Sequence, residues 1–299
     1  MISEIPHIGE AFALLAPILW GIAVILFKKS GEKVRPVALN LFKNTLAFVL
    51  IIPTMPLVGE TIIRQVPTND YFLLIASGIL GIGLSDTLFF KSLNLLGASR
   101  SAIIGCSYSP LVITLAVIFL GEQFTAFQVI GLALITSAVI YTASDKSHHD
   151  IPRKDLIYGV LLGVLGHLGT AISITMIKPL LTESPLLWVT EVRLIGGIAT
   201  MIVVLIFNRD RKEVIKTLVK AGSKTYTITG SLIGTYMAMV VWLAGMKFTQ
   251  ASTASALNQT NQIFVFIFAA IFLKEKITPR KTIAIILAIA GILAVTLGR

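Results

Sequence analysis

Apolar runs of about twenty residues alternate with short polar connections along the whole chain. A bilayer core of about 30 Å is crossed by about 20 mostly apolar helical residues. That window predicts helices at 10–27, 36–58, 71–94, 98–120 and 124–143, then at 156–177, 186–207, 225–247, 251–273 and 279–297. Backbone polar groups left bare in hydrocarbon are costly, so each run must close its own hydrogen bonds as a helix, and the runs are too long for barrel strands. The expected fold class is all-α, a polytopic membrane protein of ten transmembrane helices. The first run lacks a basic leader and a cleavage site and reads as a retained span, not a signal peptide. A polar linker at 144–155 divides the chain into two five-helix halves, 1–150 and 151–299.

Composition removes the soluble alternative. Of 299 residues, 55% are apolar and 13% charged, against about 25% charged in soluble domains, and the mean hydropathy is +0.87. The net charge of +10 would suggest nucleic acid in a soluble protein. Here the basic residues crowd the ends of apolar runs, where they orient helices, so no nucleic-acid partner is expected. The single cysteine, Cys106, lies inside a run and excludes an intrachain disulfide. Four histidines without ligand spacing give no metal site, and no cofactor is implied.

The halves repeat each other. Shifting the sequence by 153 positions lays Phe119-Leu120-Gly121-Glu122-Gln123-Phe124-Thr125 on Phe272-Leu273-Lys274-Glu275-Lys276-Ile277-Thr278, and Ala98-Ser99 on Ala251-Ser252. A shift of 150 matches Lys28 with Lys178 and Lys43 with Arg193. Five helices is an odd number, so the second copy enters the membrane upside down, an inverted-topology repeat. Basic residues support the inversion: 18 fall at one side, 4 (Arg64, Lys178, Lys247, Arg299) at the other, and Lys43, Lys91 and Arg193 lie within spans. Because Lys and Arg are retained in the cytoplasm, the count places both termini outside it, in a plasma (inner) membrane.

Two such repeats, with Trp20-Gly21 in the first helix, basic Lys43 and Arg193 early in the second and seventh, and Phe-Leu-Gly-Glu closing the fourth, resemble the EamA-type transporters of the drug/metabolite transporter superfamily. The resemblance implies a ten-helix carrier of small organic metabolites, with a central cavity formed by helices 1, 3, 4, 6, 8 and 9 and working by alternating access. Pro110 of the fourth helix is present, but its partner position is Ile263, and the hairpin glycine of the second half is Lys274.

The polar residues within the spans supply the candidate site. Asn258, Gln259, Thr260, Asn261 and Gln262 interrupt the ninth run, and amides at membrane depth need partners or water. Ser252, Ser255, Gln259 and Gln262 follow i, i+3, i+7, i+10 and form one stripe, matched by Ser99, Ala102, Cys106 and Ser109 on the fourth helix. The ninth-helix stripe and Asn258 are read as a substrate pocket, the fourth-helix stripe as packing. Asp86 is the one acid well inside a span, where a charge costs about 2.5–3.5 kcal/mol. It requires either a cationic partner, Lys43 or Lys91, or a proton-coupling role. Lys43 and Arg193 could attract an anion or bond neighbouring carbonyls, and His167 could shuttle protons or link helices. Glu191, near the outer end of its helix, reads as solvated. Trp20, Phe89, Tyr108, Tyr236 and Trp242 could floor a cavity or, near span ends, anchor the membrane interface, and Tyr108 and Tyr236 lie further from the ends. The series Gly159, Gly163, Gly166, Gly169, with Gly230 and Gly234, suits close helix packing.

The leading function is therefore a secondary-active carrier of a small organic solute, driven by a proton or a counter-substrate, as a monomer or homodimer. The alternatives are a lipid flippase or scramblase on the same scaffold and, less favoured, a membrane-embedded enzyme. The chain shows no HExxH, GxSxG or P-loop motif, and no soluble nucleotide-binding domain.

Overall fold

The computed structural model describes residues 7–121, 125–143, 151–220, 224–258 and 260–297. Gln259, Glu122 and the side chains of Ser252 and Ser255 lie outside what is described. The described chain is helical: α1 (Ile8–Gly31), α2 (Pro36–Leu57), α3 (Thr68–Leu96), α4 (Ala98–Leu120), α5 (Ala126–Ala143), α6 (Arg153–Glu183), α7 (Leu186–Phe207), α8 (Lys224–Phe248), α9 (Ala251–Asn258 with Thr260–Phe272) and α10 (Pro279–Leu297). Among the described residues, seven helices (α1–α4 and α6–α8) are long and apolar enough to cross a membrane, and shorter apolar helices accompany them. Large apolar side chains face outward, including Phe119 at 71% and Phe207 at 82% exposure, a surface that suits lipid and not water. A short amphipathic helix, Arg211–Lys220, fills a connection that the apolar pattern left blank.

Three of these helices depart from α geometry. In α3 the segment Gly78–Ser85 is π-helical, and in α8 so is Ser231–Ala238, which is the same position shifted by 153. A π turn frees backbone carbonyls, and in hydrocarbon these must be re-bonded. Asn40 of α2 does this for α3, donating Nδ2 to the carbonyls of Ile82 (2.9 Å) and Gly83 (3.1 Å). In α4 the helix Ala98–Gly105 stops at Cys106 and Ser107 and restarts at Tyr108, so Pro110 falls in a first turn, where its missing N–H costs nothing.

The packing interlocks the halves. α1 lies against α8 and α9, while α6 lies against α3 and α4. α2 packs on α7, and α5 on α10. The first part of α4 meets the second part of α9, and the second part of α4 meets the first of α9, so this pair runs antiparallel. Glycines set the closest approaches. A Cβ on Gly78 would stand 1.9 Å from the Arg193 carbonyl oxygen, and one on Gly196 would stand 2.3 Å from that of Ile75. On α6, Gly159, Gly163 and Gly169 meet Leu96, Ser92 and Ser85 of α3, and Gly230 and Gly234 of α8 meet Phe27 of α1.

Equivalent capping contacts recur at opposite ends of the bundle. Lys28 Nζ of α1 donates to the carbonyls of Leu93 and Asn94 at the end of α3, both at 3.1 Å. Lys178 Nζ of α6 donates to those of Met246 and Thr249 at the end of α8, the latter at 2.7 Å. Leu93 shifted by 153 is Met246. At the basic end, Glu275 from the α9–α10 connection accepts from the free amides of Ala98 (2.7 Å) and Ser99 (3.0 Å), a carboxylate on the N-terminus of α4. Gly121 takes φ +71° to end α4; its counterpart Lys274 takes φ +54° without being glycine. Thr125 and Gln128 form a reciprocal cap on α5, and Thr278 Oγ1 accepts from the Lys281 amide at the start of α10.

Candidate functional site

Beside a smaller cluster around Leu96, Ile104, Leu156 and Val160, two large apolar clusters fill the bundle. One, around Met55, Leu74, Trp188 and Met246, lies toward the end marked by Lys178; the other, around Phe27, Val34, Leu93 and Phe266, lies toward the end marked by Lys28. Trp20 packs against both, and between them is a cavity offering about 140 Å³ to the centres of water-sized molecules. A single buried water needs about 10–15 Å³ on that measure, so the cavity suits a small organic solute. Its walls come from α1, α2, α3, α4, α6, α7, α8 and α9. The resemblance implied six of these helices; α2 and α7 join them through Lys43 and Arg193.

The charged residues of the wall behave differently from one another. Lys43 Nζ lies 2.6 Å from Asp86 Oδ2 and 3.1 Å from Asn44 Oδ1. Asp86 thus has a partner, and the partner is Lys43; Lys91 faces outward and is exposed. Arg193, matched to Lys43 in sequence, pairs with no carboxylate among the described residues. Its Nε donates to Ser77 Oγ (3.0 Å) and its Nη2 to Ser173 Oγ (3.1 Å), and the two serines bond each other at 2.8 Å. Its Nη1 has no hydrogen bond to the described residues, although the residue is only 2% exposed. Burying a polar atom without a bond is costly, and such atoms concentrate here. Ser101 Oγ, Thr235 Oγ1, Asn258 Oδ1 and Asn261 Oδ1 line the cavity without a hydrogen bond to the described residues, and the Tyr108 hydroxyl and the Trp242 indole N–H face each other there with no further partner among them.

Of the residues singled out from sequence, Trp20, Lys43, Asp86, Tyr108, His167, Arg193, Asn258 and Gln262 share this one wall. His167 stands edge-on to Phe89 and Tyr108, with ring centroids 5.8 Å and 6.3 Å away. Gln262 packs over Gly105 of α4. Tyr236 is placed elsewhere: it is not part of the wall, and its hydroxyl meets Thr54 Oγ1 at 2.7 Å, tying α8 to α2. Glu191 corrects an expectation. It is 4% exposed, not solvated, because α7 is enclosed at that level by its neighbours. Ser99, Cys106 and Ser109 of the α4 stripe are fully buried, with only Ala102 reaching the cavity.

Asn261, Thr170 and Thr235 were missed as wall residues. A stripe counted from Ser252 skips Asn261, whereas counting from Asn258 gives 258, 261 and 262, an i, i+3, i+4 face. Thr235 follows from symmetry, since it is Ile82 shifted by 153 and both line the cavity.

A helical bundle with an apolar outer surface, around a largely apolar cavity that carries a few buried polar groups, is the architecture of a multi-pass membrane protein with room for a small solute. The chain belongs to the EamA-like transporter family, whose model matches residues 7–144 and 157–297. An "Uncharacterized transporter" of Archaeoglobus fulgidus is 22% identical over 95% of this chain and 96% of its own, and one of Methanothermobacter thermautotrophicus is 23% identical over 95% and 84%. A solved crystal structure shares the fold, with a TM-score of 0.72 at 16% identity and 97% of each chain covered. The protein is thus a multi-pass membrane transporter with a small-solute substrate.

Proposed function

We propose that the protein is a secondary carrier that moves a small organic metabolite by alternating access. In this reading ten membrane-spanning helices form two inverted five-helix halves, 1–150 and 151–299, with both termini outside the cytoplasm of a plasma membrane. The observation that carries it is the concentration of unpaired buried polar atoms around one cavity where the two halves meet. Such atoms are stabilised by a passing ligand or by water, and a site between inverted repeats is exposed alternately as the halves rock. The paired π segments of α3 and α8, one in each half, support the same reading, since both contribute to the cavity wall at equivalent positions.

Lys43 and Asp86 form the charge pair of the site, with Trp20, Tyr108, His167, Arg193, Asn258 and Gln262 as its contact residues, and Ser255 and Gln259 as further candidates on α9. Counterflow of labelled metabolites in proteoliposomes tests the proposal. Gln262→Ala, Asn258→Ala and Tyr108→Phe are expected to reduce counterflow at least tenfold while the protein remains folded. Unchanged counterflow would assign these side chains to packing.

A further inference from the structure

The charges of the cavity do not balance. Lys43 and Asp86 cancel as a pair at 2.6 Å, Asp86 is near enough to act on Arg193 electrostatically, and Arg193 remains. Guanidinium is protonated under all ordinary conditions. The two cations and one carboxylate leave the wall one positive charge, on a guanidinium that is itself buried. An uncompensated charge away from water is expensive, and an opposite charge is the most direct way to offset it.

The donors around Arg193 have the same bias. Its Nη1 is unpaired in the wall that also holds the Tyr108 hydroxyl and the Trp242 N–H, and its other two nitrogens are pinned by Ser77 and Ser173, which fix the direction of the free N–H groups. The remaining wall is aromatic and amide: Trp20 and Phe89 offer flat faces, and Asn258 and Asn261 each offer an unpaired carbonyl oxygen.

The geometry points to a small organic monocarboxylate as the class of substrate, with its carboxylate on Arg193 Nη1 and the Tyr108 hydroxyl and its apolar or ring portion against Trp20, Phe89 and Trp242. A monoanion brings the cavity to neutrality. A zwitterion leaves the extra positive charge in place, a cation adds a second, and a dianion overshoots. The inference rests on the carrier reading only for its transport arm.

Binding is measured first, as thermal stabilisation of the purified full-length protein by acetate, benzoate, phenylacetate and phenylpyruvate, with benzylamine, benzamide and phenylalanine as the cationic, neutral and zwitterionic controls. Saturable stabilisation by at least one carboxylate, and none by benzylamine, is the expected result. Arg193→Lys and Tyr108→Phe are each expected to weaken the bound carboxylate about tenfold or more. Asp86→Asn frees Lys43 and adds a second positive charge, so it is expected to tighten carboxylate binding severalfold. A purely structural role for these residues would not produce that opposite sign.

No stabilisation by any carboxylate, equal stabilisation by benzylamine, or a loss of carboxylate binding in a folded Asp86→Asn protein would overturn the inference. Counterflow in proteoliposomes then separates the two claims. A carboxylate that binds but is not carried contradicts the carrier reading and leaves the anion site standing. Counterflow of benzylamine without any carboxylate contradicts the anion site and leaves the carrier reading standing.

Discussion

Arg193 lies at membrane depth, held by two serine hydroxyls and facing no carboxylate among the described residues. Lys43, its equivalent in the first half, has Asp86. Sequence matching could find the two basic positions, but it could not divide their roles. That division depends on α3, which presents Asp86 to one and Ser77 to the other from either end of a π segment that no apolar pattern reveals. Ser173, one of the two anchors, reads in sequence only as a small residue on α6. Ser173→Ala removes one of the bonds that aim the guanidinium and leaves its charge. It is expected to lower transport severalfold while costing about 1 kcal/mol of stability, read as counterflow rate against melting temperature. Lys274 is a second residue-scale case. Its φ of +54° sits where Gly121 sits in the other half, and a side chain there is strained. Lys274→Gly relieves about 1–2 kcal/mol of left-handed strain against about 0.5–1 kcal/mol for the added freedom of glycine in the unfolded chain, and the net gain is expected as a slightly higher melting temperature in detergent.

Helix positions were largely legible, because bilayer thickness dictates the length of an apolar run. The forecasts at 98–120, 186–207 and 279–297 coincide with α4, α7 and α10. α6 was underestimated at its C-terminal end, running on to Glu183 beyond the expected 177, because Lys178 interrupts hydropathy but is satisfied by bonding the end of α8. The motif glutamate of the hairpin was visible as a repeat, whereas its task was not. Glu275 caps a helix of the other half, a contact across 177 residues of sequence. Glu275→Ala is expected to cost about 0.5–2 kcal/mol through the lost cap, with substrate affinity unchanged in the folded fraction. At the α3–α7 contact, backbone meets backbone: Gly78→Ala would place a methyl group onto the Arg193 carbonyl. Overpacking of this kind costs about 1–3 kcal/mol or more, so a melting temperature lowered by several degrees and a displaced Arg193 are expected.

At the scale of the whole molecule, the basic residues that the charge count separates can be placed along the bundle. Arg64 lies 5.4 Å from the Trp188 ring at the start of α7, and Arg209 follows Phe207 at its finish. The helix between them has 22 residues, a rise of about 33 Å at about 1.5 Å per residue, so the two arginines stand at opposite ends of α7, a separation long enough to span a bilayer core. The polar hairpin recurs at a shift of 153, and the capping lysines, matched at a shift of 150, reach helix ends that are again 153 apart, Leu93 and Met246. The cavity itself was less readable. Hydropathy ranks single residues by cost, while a cavity forms from side chains of eight helices whose rotation about their axes the pattern leaves open.

The central claim is that the cavity opens to each side in turn. It is tested most directly by accessibility of single cysteines to a membrane-impermeant thiol reagent. With Cys106 replaced by alanine, cysteines at Thr170 and Thr235 would be probed from each side, with Arg64 and Arg209 cysteines marking the two faces. The account predicts that Thr170 and Thr235 label from both sides, that transported substrate protects them, and that the Arg64 and Arg209 positions label from opposite sides only. Cavity positions that label from one side alone, whether or not substrate is present, would contradict it.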